Sequence, residues 1–239
     1  MTRTNVYWLT AIGLTLVTIA GSALLYPSLP AKIPTHWNIR GEIDGWGSKT
    51  WAVALLPGLA VLLLVFFRLL PWLSPKDFSV DPFKTTYEFI MVAVVGLFCY
   101  LHAVTLYAAW KAVNGDKGVD VGRLLVGGIF LFLGLIGNVL GKVRRNFYIG
   151  VRVPWTLASD RVWNDTHRLA AWTIVGGSLI GFLIVVTGLS LVAAFVVLIT
   201  STMIPVVYSF IHYKRLERRG ALETRRENPT GPSVGGSGS

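Results

Sequence analysis

Six apolar runs alternate with polar stretches along the 239 residues, at roughly 6–26, 51–73, 87–110, 124–140, 171–187 and 189–213. Each approaches the ~20 residues that carry a helix across a ~30 Å hydrocarbon layer. Inside lipid only a helix or a closed barrel satisfies every backbone polar group, and runs this long and continuous read as helix. Only Gly188 and its neighbours divide the fifth run from the sixth. One helix through both would be about twice the bilayer span at ~1.5 Å per residue, so a tight re-entry is expected there. As a signal peptide the first run would have too long an apolar part, and Tyr26-Pro27 offers no small-residue cleavage site, so it reads as a retained helix.

The expected fold is an all-α polytopic membrane protein with six transmembrane helices. Residues 1–73 hold two helices and a motif loop at 27–50. Residues 74–213 form a four-helix bundle with a second motif loop at 142–170. Residues 214–239 are a basic segment followed by a Pro-, Gly- and Ser-rich tail, expected to be disordered, whose "GGSGS" reads as either native or an appended linker. Composition agrees: the chain is 53% hydrophobic and 14% charged, with a mean hydropathy of +0.59, which excludes an ordinary soluble domain.

Charge then sets orientation. Of the 22 Lys and Arg, 15 fall on the side of the termini and 6 on the side of the 27–50 loop, with Arg68 snorkelling from the second helix. Both termini and the 142–170 loop are therefore expected in the cytoplasm, and the 27–50 loop outside. The net charge of +10 needs only anionic lipid headgroups as counterpart, with no nucleic-acid partner. The lone Cys99 lies inside the third helix and leaves no intramolecular disulfide to form.

The first loop is long for a helix connection and rich in polar chemistry. "THWNIRGEIDGWG" predicts a small hairpin with a bend at Arg40-Gly41 and a second turn at Asp44-Gly45, His36 and Asn38 on one face, Trp37 and Ile39 on the other. His36, Trp37, Asn38, Asp44 and Trp46 are its candidate partner-binding residues. His36 with Asp44 and Glu42 has the chemistry of a divalent-metal site, but the spacing matches no defined motif and a structural polar network uses the same residues. Trp37 and Trp46 also suit interfacial anchoring.

In the second loop Phe147, Tyr148, Ile149, Val151 and Trp155 are too apolar for a free segment and are expected to pack on the bundle or the interface. Pro154 interrupts any helix there. A new helix is predicted from an N-cap at Ser159, with Trp163, His167 and Ala170 along one side. Candidate binding or structural residues on this side are Asn138, Asn146, Arg152, Trp155, Trp163, His167 and Arg168. His167 and Arg168 suit a carboxylate or a lipid phosphate as well as a plain helix end. Asn138, inside the fourth helix, calls for a partner on another helix. Gly137 and Gly141, like Gly177 and Gly181, have the spacing of close helix packing. The intramembrane ionisable residues are Arg68, Glu88 and His102, with Arg68 and Glu88 placed to pair. No nucleophile elbow, phosphate loop or zinc-hydrolase helix occurs, so no enzyme activity and no cofactor are expected.

"LPAKIPTHWNIRGEIDGWGSK", Gly137-Asn138, "NFYIGVRVPWTL" and "VWNDTHR" resemble, in order and spacing, the two signatures of the SdpI family of bacterial immunity proteins. The resemblance covers nearly the whole chain up to about Tyr213. Val153 stands where that pattern has threonine, and Arg144-Arg145 make the loop more basic than usual. The resemblance implies a multi-pass protein of the bacterial cytoplasmic membrane. It also implies resistance to a secreted membrane-active killing peptide on the outer face and, in some members, sequestration of a cytoplasmic autorepressor. Small-molecule or peptide transport, and a metal-binding sensor or enzyme at His36 and Asp44, are the alternatives.

Overall fold

The structure, a computed structural model, describes residues 3–38, 40–114 and 120–222. Ile39, Lys117 and the tail from 223 onward lie outside the described residues. The chain begins with helix α1 (Arg3–Leu25) and the antiparallel strands β1 (Lys32–Trp37) and β2 (Ile43–Ser48). Next come α2 (Lys49–Leu73), α3 (Lys84–Asn114) and α4 (Val121–Leu140). The short α5 (Pro154–Ala158) precedes α6 (Asp160–Val186) and α7 (Leu191–Arg218). Six of these helices, all but α5, are long and apolar enough to cross a membrane.

Local chemistry starts three of the helices, one of them at the expected Ser159. The Ser48, Asp120 and Ser159 side chains accept from the N–H groups of Trp51, Arg123 and Val162 at 3.4, 3.2 and 3.3 Å, relieving the unpaired donors of a first turn. Helix α6 runs without a break from the Ser159 cap into the fifth membrane span, as the sequence predicts. Pro154 does not interrupt a helix but opens one, as first residue of α5, where its missing N–H costs nothing.

Helix α3 is the central post. Its Tyr87, Ile90, Met91, Val95 and Cys99 form the main core with Ala11 of α1, Phe67 and Leu70 of α2, and Trp163 and Ala170 of α6. The outside is an apolar belt that includes Val17, Leu24, Trp72 and Trp172, as a lipid-facing surface requires.

The glycine spacings resolve into two seams on α6. A Cβ on Gly137 of α4 would stand 3.0 Å from Ile174 and Val175, and one on Gly181 would collide with the buried ring of Phe130. On another side of α6, a Cβ on Gly177 would collide with Ser201 of α7. Small residues thus let α4 and α7 approach the same helix closely. Gly181→Leu and Gly177→Val are each expected to cost ~1–3 kcal/mol by overpacking. Gly176→Ala, at a site with nothing within 4 Å, should leave stability unchanged or higher, checked by thermal unfolding in detergent followed by size exclusion.

Candidate functional site

Polar side chains collect at the two ends of the bundle. At one end the hairpin lies across the ends of α3 and α4. Ile33 is fully buried with Leu29, Ala52 and Ala109, and Trp37 packs on Val104, Ala108 and Val121. Gly41 takes the positive φ of 81° that the turn demands. The turn approaches α4 so closely that a Cβ on Gly122 would stand 2.7 Å from Gly41 Cα.

Asp44-Gly45 forms no second turn; both residues lie within β2, and Thr35 and Asp44 are extra residues that break the ladder's alternation twice. The expected two-faced pattern is lost for that reason. Asn38 sits in the turn, its Oδ1 accepting from the N–H groups of Arg40 and Glu42 at 2.9 and 3.0 Å and its Nδ2 donating to Glu42. That bond and the adjoining Arg40 guanidinium hold the Glu42 carboxyl below its usual range. Asn38 and Trp37 therefore build the cap, while His36, Asp44 and Trp46 are its exposed chemistry. His36 Nδ1 lies 2.5 Å from Asp44 Oδ1, with 71% and 43% of the two side chains accessible. No group of three metal-ligating side chains occurs among the described residues.

A residue not singled out in the sequence ties this cap to the rest. Arg123 pairs with Asp120 at 3.3 Å and donates to the carbonyls of Val185, Gly188 and Leu189 at 2.9, 2.9 and 3.1 Å. Its planar fork thus caps the C-terminus of α6 and holds the re-entrant turn.

At the opposite end the 142–159 segment folds as an irregular, internally bonded loop. Asn146 is fully buried and makes four bonds: it accepts from the Tyr148 and Ile149 N–H groups and donates to the Arg144 and Ile149 carbonyls, at 2.7 to 3.1 Å. Thr156 accepts from the Val153 N–H at 3.0 Å and donates to the Val151 carbonyl at 2.7 Å. Trp163 and His167, both fully buried, stack at 4.0 Å. Trp163 Nε1 donates to Val143 O at 2.8 Å. The Val151 N–H donates to His167 Nε2 at 3.0 Å, so the ring's proton sits on Nδ1 and is donated to Trp163 O at 2.8 Å.

Asn146, Trp163 and His167 are thereby brought together as the loop's internal frame, and His167 has no free nitrogen for a carboxylate or phosphate. Trp155 lies half-buried on α7, donating to Ser209 Oγ at 2.6 Å with its ring edge on Phe210. Arg152 is exposed and donates to Phe147 O. Arg168 pairs with Asp165, which also meets His212 at 2.9 Å. Asn138 departs from expectation: it is exposed on α4 and, among the described residues, bonds to no other helix. Arg68 and Glu88 form no ion pair but line one cavity.

His102 faces a larger cavity, about 740 Å³, between α1 and α3. Ser22 Oγ donates its single proton to Thr18 O at 2.7 Å, so at 2.6 Å from His102 Nε2 it accepts.

Sequence reasoning also passed over Gly150 and Thr156. Gly150 has φ 116°, and a Cβ there would collide with His167 Nε2. The glycine is needed twice, for backbone conformation and for room. Gly150→Ala is expected to cost at least ~1–3 kcal/mol and to open the loop. Asn146→Ala leaves two buried N–H groups unpaired, at ~1–3 kcal/mol each. Limited trypsin digestion in detergent checks both: cleavage after Arg144, Arg145 or Arg152 should be many-fold faster than in the parent chain.

The two ends coincide with two family matches. A domain of unknown function, DUF1648, matches residues 13–61, spanning most of α1, the hairpin and the start of α2. The SdpI/YfhL protein family matches residues 142–209, the motif loop through most of α7. The chain is similar to Immunity protein SdpI of Bacillus subtilis (strain 168), 26% identical over 197 residues that cover 82% of this chain and 90% of that protein. No solved structure matches. With both matches in order along six helices long and apolar enough to cross a membrane, the chain is a multi-pass bacterial plasma-membrane protein similar to the SdpI/YfhL family over its C-terminal part and to DUF1648 over its N-terminal part.

Proposed function

We propose that this protein is an immunity and signal-transduction protein, with its hairpin outside and its motif loop in the cytoplasm. The hairpin meets a secreted membrane-active killing peptide, and the loop face recruits a cytoplasmic autorepressor. The match to the SdpI/YfhL family model and the similarity to an immunity protein support the role. The uneven Lys and Arg distribution supports the orientation.

The observation that carries the reading is the Arg123 clasp. It joins the α4 end touched by the hairpin to the C-terminal end of α6, and the N-terminal end of α6 supplies Trp163 and His167 to the motif loop. One rigid helix therefore has the external cap at one end and the internal loop at the other. A peptide that prefers one setting of that helix shifts the population of the other end, with no turnover. Trp46, exposed on the hairpin, is the aromatic anchor available to the peptide; Arg152 and Trp155 edge the loop face.

The test is expression in a toxin-sensitive host lacking its own immunity protein, followed by challenge with the killing peptide. Survival is expected. Trp46→Ala should lower the tolerated peptide concentration about tenfold or more at equal membrane abundance. Arg152→Ala and Trp155→Ala should spare survival and weaken repressor recruitment. Arg123→Gln should keep peptide binding while losing recruitment. Killing of cells that carry the parent protein at normal abundance overturns the reading.

A further inference from the structure

Glu88 lies four residues into α3 and is only 2% exposed, yet its carboxylate has no hydrogen bond or ion pair among the described residues. Neither of its oxygens is sealed within the core; the little surface it keeps opens into a cavity of about 420 Å³ that it lines with Thr4, Trp8, Arg68, Asp81 and Lys84. Arg68 and Lys84 also lack partners among the described residues. Two cations and a buried anion thus share one chamber with Asp81, whose carboxylate already accepts from Ser79 Oγ at 2.6 Å; among the described residues no ion pair within 4.0 Å joins any of them.

An isolated buried carboxylate gives up its hydration with nothing in return. Arg68 is the obvious remedy, yet it does not close on Glu88. The space is far larger than the ~30 Å³ share of one water molecule and lies within the range of small-ligand sites. A guest that matches the three charges without a partner carries an anionic group for Arg68 and Lys84 and a hydrogen-bonding cation for Glu88, while Asp81 keeps its bond from Ser79. Depth identifies where such a guest comes from. Glu88 is about 6 Å along α3 from its first residue, and Arg68 a similar distance from the last residue of α2, at ~1.5 Å per residue. The chamber therefore sits at headgroup level, with Trp8, Phe67 and Pro71 as its apolar wall.

We propose that this cavity binds the headgroup of a zwitterionic aminophospholipid, with its phosphate on Arg68 and Lys84 and its primary ammonium on Glu88. A primary ammonium offers three donors to the carboxylate, whereas a trimethylammonium offers none. The same groups would accept a free aminoalkyl phosphate. The apolar wall favours the lipid, because it covers the glycerol and first acyl carbons that the free zwitterion lacks.

The test titrates the purified full-length protein with phosphatidylethanolamine, phosphatidylcholine and phosphatidylglycerol of identical acyl chains, and with free phosphoethanolamine, read by native mass spectrometry. The expected result is one phosphatidylethanolamine retained per chain, about tenfold better than either other lipid, and no retention of the free zwitterion. Glu88→Gln should erase the preference over phosphatidylglycerol while leaving phosphatidylglycerol retention unchanged, a selectivity shift that a merely structural role would not produce. Arg68→Gln should weaken both. Equal retention of ethanolamine and choline lipids by the parent protein, a measurement that needs no variant, overturns the proposal. So does a preference that survives Glu88→Gln. Retention of free phosphoethanolamine as strong as that of the lipid overturns the lipid as its source.

Discussion

Irregular backbone at the edge of a membrane must satisfy its own hydrogen bonds, and the 142–159 segment does so through four side chains. Asn146 and Thr156 serve the loop from within; Trp163 and His167 serve it from α6. Each unpaired buried amide would cost ~1–3 kcal/mol, enough to melt so short a loop. The bond from the Val151 N–H to His167 is the one that fastens loop to helix, and Gly150 makes room for it. The density of polar residues in this motif follows from that requirement before any partner is considered.

Helix α6 is the element both ends share. Gly137, Gly177 and Gly181 let α4 and α7 close upon it, and the Arg123 clasp fixes one end while His167 holds the other. Its 27 residues span about 40 Å. A continuous helix with tight seams on two sides moves as a body rather than bending, because packed interfaces switch between discrete arrangements instead of deforming continuously. Helix α6 is therefore the body whose displacement would carry a signal.

Much of this was legible in the sequence, and the reasons differ by element. The spans follow from apolar length, and the start of α6 follows from Ser159 because capping is chemistry confined to one turn. The hairpin was legible as a turn at Arg40-Gly41, but its two irregularities were not, since an extra residue on each strand depends on how β1 lies over α3. Arg123 escaped notice because its acceptors are more than sixty residues away. His167 was visible, yet its role depended on a backbone N–H, a group with no signature in a one-letter code. DUF1648 and SdpI/YfhL mark the same two stretches, so family and physics single out the same residues for different reasons.

The two failed pairing expectations share one cause. Asn138 was expected to need another helix, and Arg68 and Glu88 to need each other, on the premise that a polar group within a membrane span must find a protein partner. That premise holds at mid-bilayer and weakens toward the interface, where headgroups and water offer donors and acceptors. Asn138 is two residues from the end of α4, about 3 Å by helical rise, so an exposed amide there reaches the polar layer unaided. Arg68 and Glu88 are somewhat deeper, and only Glu88 is buried. Depth therefore sorts them: the amide is satisfied by the interface itself and the exposed arginine can snorkel to it, while the enclosed carboxylate cannot reach the polar layer and has a chamber beside it in which a counterpart fits.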